Sequence, residues 1–225
     1  MKLREFSILM TLMSLAVVTV NASPSDSDFE TRRAIGEEDV VALRSNIPVV
    51  LAPPALTSTD KVFGAAYHDT LSILRSNNKC SDFFGGPAAS EIFNKLISKV
   101  RKGYYPRSVG MKLSGSVTVR DNATMKEYRI FDDVSINTNG PFYKRSSNGE
   151  STIPRIGNYN PNTREVRVLM LLHELGHAVK GPDGAWLLTN DGDNPELSII
   201  NTQKIERACT DQIKGLAKAD GQANP

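Results

Sequence analysis

The chain has 225 residues, with 27 Lys and Arg against 25 Asp and Glu, so its formal net charge is only +2. A charge this small argues against a nucleic-acid-binding protein, because such proteins carry pronounced basic surfaces. The sequence also contains no internal repeat, heptad pattern or glycine-rich phosphate loop, which excludes repeat, coiled-coil and P-loop proteins.

The first 22 residues have the pattern of a secretory signal peptide. Lys2 and Arg4 supply the positive charge, residues 6–20 are apolar apart from Ser and Thr, and small residues lead to Ala22. This apolar run is too short and wrongly flanked for a stable membrane span. We therefore expect cleavage near Ala22 and a secreted mature protein, periplasmic or extracellular, that has no membrane span.

The mature chain is long enough for one domain with a sizeable core. Residues 23–58 begin polar and charged and continue with prolines, which predicts a disordered or extended segment. Apolar periodicity predicts helices over residues 59–77 and 87–102. His68 lies on the first of these helices, where a lone histidine is typical of a half-buried surface position rather than of a metal ligand.

Cys80 and Cys209 are the two cysteines of the chain. An even pair in an exported protein predicts a disulfide that ties the N-terminal half to the C-terminal region. Closing so long a loop stabilises the fold by roughly 4 kcal/mol at most on the entropic account. The alternative is a pair of buried free thiols.

Two stretches of alternating apolar residues, 113–119 and 128–136, predict antiparallel strands joined by a turn near Asp121. The strand-like segment 133–143 contains Gly140 and Pro141, and a proline confines a strand to the edge of a sheet or to a bulge. Together with the helices, these strands predict an α+β fold with a small antiparallel or mixed sheet.

The segment His173-Glu174-Leu175-Gly176-His177 is the most informative part of the chain. Its H-E-x-x-H spacing on a predicted helix places both imidazoles on one face, where they can bind one metal ion. The intervening carboxylate can then serve as general base toward a water that the metal activates. Gly176 costs about 1 kcal/mol in a helix interior, which predicts close packing at that position.

The run LHELGHA over residues 172–178 resembles the zincin superfamily of zinc metallopeptidases. The resemblance covers the motif helix and the strand-like segment ahead of it. It implies a zincin-like domain over residues 59–220, in which His173 and His177 bind Zn²⁺ and Glu174 is the catalytic base of peptide hydrolysis. It also implies that an extended substrate lies along an edge strand. Residues 190–202 are similar to those of small secreted zincin-like proteins.

A catalytic zinc site requires a third protein ligand, and three acidic residues are candidates. Asp183 follows His177 at the offset that some zincins use, although Lys180 stands where their pattern has glycine. Asp191 lies in a turn within the second region of likeness. These two rank equally, and Glu206, on a predicted C-terminal helix, ranks below them.

The leading functional prediction is a secreted zinc metallopeptidase that acts on peptide or protein substrates. Tyr143 and Tyr159 are candidate stabilisers of the oxyanion, since they precede the motif helix. A monomer is the expected state. The alternative is a secreted zincin-like protein without turnover, whose metal serves a structural or ligand-binding role.

Overall fold

The computed structural model describes residues 53–122, 124–146 and 152–222. The predicted signal peptide and most of the predicted N-terminal segment lie outside these residues. Within the described ranges, no helix combines the length and apolar character needed to cross a membrane.

Four helices come first in the described chain: α1 (Ala55–Thr59), α2 (Lys61–Arg75), α3 (Lys79–Phe83) and α4 (Ala89–Ile97). Asp60 separates α1 from α2, because its carboxylate accepts hydrogen bonds from the first backbone N–H groups of α2 and so caps that helix. The predicted helix 59–77 is therefore two helices. The short helix α1 also replaces the last part of the segment that we predicted to be extended.

The described residues form one three-stranded sheet from β1 (Arg101–Gly103), β2 (Met111–Arg120) and β3 (Glu127–Asn137), in the order β1-β3-β2. Strand β2 pairs with β3 antiparallel, and β1 pairs with β3 parallel. The α+β class with a small mixed sheet is confirmed. The predicted helix 87–102 was too long, because residues 101–103 leave α4 to pair with β3.

The prediction of an edge strand over residues 133–143 is wrong. Strand β3 ends at Asn137 and is the central strand, so Pro141 lies in a turn beyond the sheet. The side chain of Asn137 ends the strand, since it donates to the carbonyl groups of Pro106 and Val109 and accepts from the backbone N–H of Tyr105. The two edge strands of the sheet are β1 and β2.

Helix α5 (Arg164–Ala178) is the central element, and α6 (Pro195–Gln222) packs against it. The Thr163 hydroxyl caps α5 by accepting from the backbone N–H of Val166. Most residues of α5 are buried. The largest fully buried side chains of the core are Phe63, Phe93, Phe142, Leu74, Leu96, Ile97, Ile136, Leu169, Leu171, Leu172, Leu175 and Leu188.

The predicted disulfide between Cys80 and Cys209 is confirmed. Both residues are fully buried, and the bond joins α3 to α6 across 129 positions of the sequence. Since α6 packs on α5, the disulfide holds the N-terminal helices and the central helix in one unit.

We expect the substitution Gly176→Ala to lower the free energy of unfolding by about 1–3 kcal/mol. An added Cβ would lie 2.6 Å from Cγ of Leu188, which is itself buried and cannot move aside cheaply. This crowding outweighs the gain in helix propensity of about 1 kcal/mol. Chemical denaturation measures the change.

The matched control is Gly215→Ala on α6, where no described atom beyond the helix's own backbone lies within 4 Å of the added Cβ. This variant gains stability, by up to about 1 kcal/mol. Equal or higher stability of the Gly176→Ala protein would show that the helix is not closely packed at this position.

Candidate metal centre

The two histidines of the motif lie on the same face of α5, one turn apart. Their Nε2 atoms are 3.1 Å from each other, and the two residues are only 7% and 5% exposed, for His173 and His177 respectively. Two imidazole rings that aim the same nitrogen at one point, away from bulk solvent, have the arrangement of ligands to a shared cation.

Asp191 completes a group of three donors. Its Oδ2 atom lies 3.1 Å from Nε2 of His173, and its Oδ1 atom lies 3.3 Å from Nε2 of His177. The chain reaches this position because the segment after α5 is fixed by backbone hydrogen bonds from Leu187 to Val179 and from Leu188 to Gly176. Among the His, Cys, Asp and Glu side chains of the described residues, these three form the cluster that could hold a metal ion.

The donor spacing fits a zinc ion. Tetrahedral coordination with bonds of 2.0–2.1 Å places ligand atoms about 3.3 Å apart. The distances between the two Nε2 atoms, and between each of them and an oxygen of Asp191, are 3.1, 3.1 and 3.3 Å. Two nitrogens and one carboxylate oxygen are also the donor types of catalytic zinc sites, and three protein ligands leave the fourth position free.

The electrostatics of the cluster favour the ionised forms of Asp191 and His177. Burial disfavours the ionised form of Asp191, but hydrogen bonds and positive charge from His173 and His177 outweigh it and hold the pKa of its carboxyl well below its usual range. Burial lowers the pKa of His177. The neighbouring carboxylates of Asp191 and Glu174 raise this pKa by more, so the net shift is upward. The site therefore attracts positive charge, whether protons or a metal ion.

Helix α6 supplies the outer contacts of the cluster. The Thr202 hydroxyl lies 3.0 Å from Nδ1 of His173, and the amide of Asn201 donates to Oδ2 of Asp191 at 3.2 Å and to the carbonyl of Thr189 at 2.9 Å. Such partners fix the ring tautomer and the carboxylate orientation. Sequence reasoning assigned them no role. The sequence offered two signals for them: they lie within residues 190–202, whose likeness to small secreted zincin-like proteins was noted, and they are adjacent polar residues in an amphipathic helix.

We expect Thr202→Val to weaken zinc binding about 10–100-fold, as loss of an outer-shell partner does at other zinc sites. Valine keeps the shape but removes the hydroxyl that orients His173, which leaves a buried ring nitrogen without its partner. Competition with a chelator measures the affinity. Thr210→Val, one residue after Cys209 on α6, is the control and should keep wild-type affinity.

Glu174 lies beside the cluster, and its carboxylate does not stabilise the fold through any contact among the described residues. It is half-buried and makes no hydrogen bond or ion pair with any residue that the structure describes. Desolvation raises the pKa of its carboxyl, and the charges of His173 and His177 offset this only in part. A desolvated carboxylate of raised pKa without structural partners is suited to general-base chemistry.

The structure does not bring Asp183 or Glu206 to the cluster. Asp183 is exposed at the tip of the loop after α5, where its Oδ1 accepts from the backbone N–H of Ala185 and forms the turn. Glu206 is buried one helical turn beyond Thr202, and its Oε1 accepts from the backbone N–H of Asn158. Both carboxylates accept from backbone N–H groups away from the histidines, that of Ala185 for Asp183 and that of Asn158 for Glu206.

The remaining candidates also lie elsewhere. His68 lies at the surface, but it is exposed rather than half-buried as we predicted, and it packs edge-on against Tyr67. The Tyr143 hydroxyl donates to the carboxylate of Asp60, and burial raises its pKa above the usual range. Burial and the charge of Glu206 raise the pKa of Tyr159. Tyr143 thus binds Asp60, the cap of α2, and Tyr159 lies near Glu206. Neither hydroxyl has a contact with a residue of the metal centre among the described residues.

Comparison of the chain with models of protein families, with characterised proteins and with solved structures gives no match.

Proposed function

We propose that this protein is a secreted zinc-dependent peptidase of the zincin type. The observation that carries the proposal is the spacing of 3.1–3.3 Å between the two imidazole Nε2 atoms, and between each of them and one of the two carboxylate oxygens of Asp191. Glu174 lies next in the sequence to the first histidine and makes no hydrogen bond or ion pair within the described residues. The disulfide of a fully buried cysteine pair agrees with an oxidising compartment.

Zinc is the metal that this donor set suits best. Imidazole nitrogens favour transition metals over Mg²⁺ and Ca²⁺, which prefer oxygen ligands throughout. His173, His177 and Asp191 would hold the ion. When bound, zinc supplies Lewis acidity, which lowers the pKa of water and polarises a carbonyl group.

The residues of the chain then have separate tasks. Glu174 accepts the proton of the attacking water and delivers it to the leaving amine, which requires a base of raised pKa at this position. Thr202 keeps His173 in the orientation that presents Nε2 to the ion. The amide of Asn201 donates to Oδ2 of Asp191 and so orients this carboxylate.

The free edge of β2 can hold the substrate. Among the described strands β2 pairs only with β3, so its outer backbone groups are unpaired. Lys112 at its start lies 3.9 Å from Asp193, in the loop that carries Asp191. The other end of β2 pairs opposite Tyr128, whose bridge to Val179 lies on the far side of β3. An extended peptide added to the edge of β2 would therefore pass the loop of Asp191 at the start of the strand.

A groove of about 490 Å³ adjoins the segment that follows the motif helix. Ala89 and Ile92 of α4, Met125 and Val179 contribute apolar walls to it. Its lining includes none of His173, Glu174, His177 and Asp191, so the groove lies apart from the metal centre and does not define the substrate.

Reconstitution tests the proposal. Mature protein is stripped with a chelator, reloaded with one equivalent of Zn²⁺ and incubated with a denatured protein and a broad peptide library, with mass spectrometry as readout. We expect cleavage from the reloaded protein alone. Full zinc occupancy without any cleaved product would reject the peptidase and favour the zincin-like protein without turnover.

A further inference from the structure

Arg129 lies next to the metal centre, at the start of β3. Its Nη1 donates to the backbone carbonyl of His177 at 3.4 Å, and its guanidinium carbon lies 3.8 Å from the centre of the Trp186 ring. Stacking on an indole fixes the plane of a guanidinium group. The cation is therefore held in one orientation against the backbone of the second histidine.

This guanidinium has no carboxylate partner in the part of the chain that the structure describes. The contrast with its neighbour is informative, because Lys180 lies over the same Trp186 ring but pairs with Glu127 at 2.6 Å. Arg129 is half-buried, and desolvation lowers its pKa. A partly desolvated cation that lacks a counter-ion is costly and favours the approach of an anion.

The charge of the centre adds to this preference. The inference rests on the proposed function, in which a divalent ion lies beside the carboxylates of Asp191 and Glu174. Their charges balance that of the ion, so Arg129 contributes a positive charge that nothing in the described site compensates. Most N–H donors of its guanidinium remain unused, and these donors match the two oxygens of a carboxylate.

We propose that Arg129, supported by Trp186, binds a carboxylate group of the substrate and makes the site selective for peptides that carry a negative charge close to the cleaved bond. The carboxylate can come from the C-terminus of the peptide or from an Asp or Glu side chain. The shared chemistry is bidentate recognition of a carboxylate by one guanidinium. Arg129 is thus a specificity residue and is distinct from the metal ligands.

Trp186 provides the readout, because it is the only tryptophan of the chain. The zinc-loaded Glu174→Gln protein, which does not cleave, is titrated with acetylated alanine pentapeptides while its fluorescence is recorded. One peptide has a free C-terminal carboxylate, one has a C-terminal amide, and one has the amide and a single Asp. We expect a peptide with a carboxylate to bind about tenfold or more tightly than the neutral amide.

The variant Arg129→Gln, made in the same background, should bind all three peptides with the weak affinity of the neutral one. Arg120→Gln is the matched control: it removes an exposed arginine from the end of β2 and should keep the preference. Zinc content is measured for each protein, so a variant that has lost the ion is recognised.

Each outcome is decisive. Preference for the free C-terminus or for the Asp peptide supports the proposal and identifies the source of the carboxylate. Equal affinity for the three peptides in the protein that retains Arg129 overturns it without any substitution at that position, and so does a preference that survives Arg129→Gln. Because binding is measured without turnover, absence of cleavage by the wild-type protein would reject the peptidase and leave this result unaffected.

Discussion

Replacing Glu174 with glutamine should lower peptide hydrolysis by a factor on the order of 10²–10⁴ while the zinc content stays unchanged. Glutamine has the shape of glutamate but cannot accept a proton, so the general base is lost. Glu174 is not among the three clustered donors, which is why the metal should remain. Initial rates on the best substrate and metal analysis of the same sample measure both quantities.

Glu165→Gln is the control for this experiment. Glu165 lies in the first turn of the same helix, far along the axis from the histidines, and its loss removes a favourable helix-end charge worth about 0.3–1 kcal/mol. It should hydrolyse peptides at the wild-type rate. Undiminished activity of the Glu174→Gln protein would remove the base from the mechanism, and loss of zinc from it would make Glu174 a ligand.

Asp191→Ala should weaken zinc binding by more than the 10–100-fold that the loss of an outer-shell partner costs. The substitution removes the carboxylate that lies 3.1 and 3.3 Å from the two Nε2 atoms and leaves two protein ligands. Asp183→Ala is the natural control, since this exposed residue only forms a turn, and it should bind zinc as the wild type does. Titration against a chromophoric chelator gives the affinities.

The opposite order of zinc affinities for these two variants would contradict the proposed set of ligands. If Asp183→Ala weakened zinc binding more than Asp191→Ala, the loop after α5 would have to move on metal binding. Glu206→Ala distinguishes the third candidate, because it removes the oxygen that accepts from the backbone N–H of Asn158 and so affects stability rather than zinc affinity.

The helical periodicity of the motif was sufficient to predict the two histidines on one face, because that relation depends only on local geometry. The choice between Asp183 and Asp191 was not predictable in this way. It depends on hydrogen bonds from Leu187 and Leu188 to the end of α5, which set the path of the loop and which the sequence does not encode in any local pattern.

For the sheet, too, the features that depend on local sequence were predicted and those that depend on distant residues were not. Alternating apolar residues predicted β2 and β3, since the period of a half-buried strand is local. Strand β1 was missed, because three residues with partners more than thirty positions away carry no periodicity. The edge was assigned to the wrong strand because Pro141 was counted within it, whereas the strand ends earlier, at Asn137.

A crystal structure of the zinc-loaded mature protein, with anomalous data collected at the zinc absorption edge, tests the central claim most directly. We predict one anomalous peak, about 2.0–2.2 Å from Nε2 of His173, Nε2 of His177 and an oxygen of Asp191. A peak at another set of residues, or no peak between the two rings, would contradict the proposed metal centre.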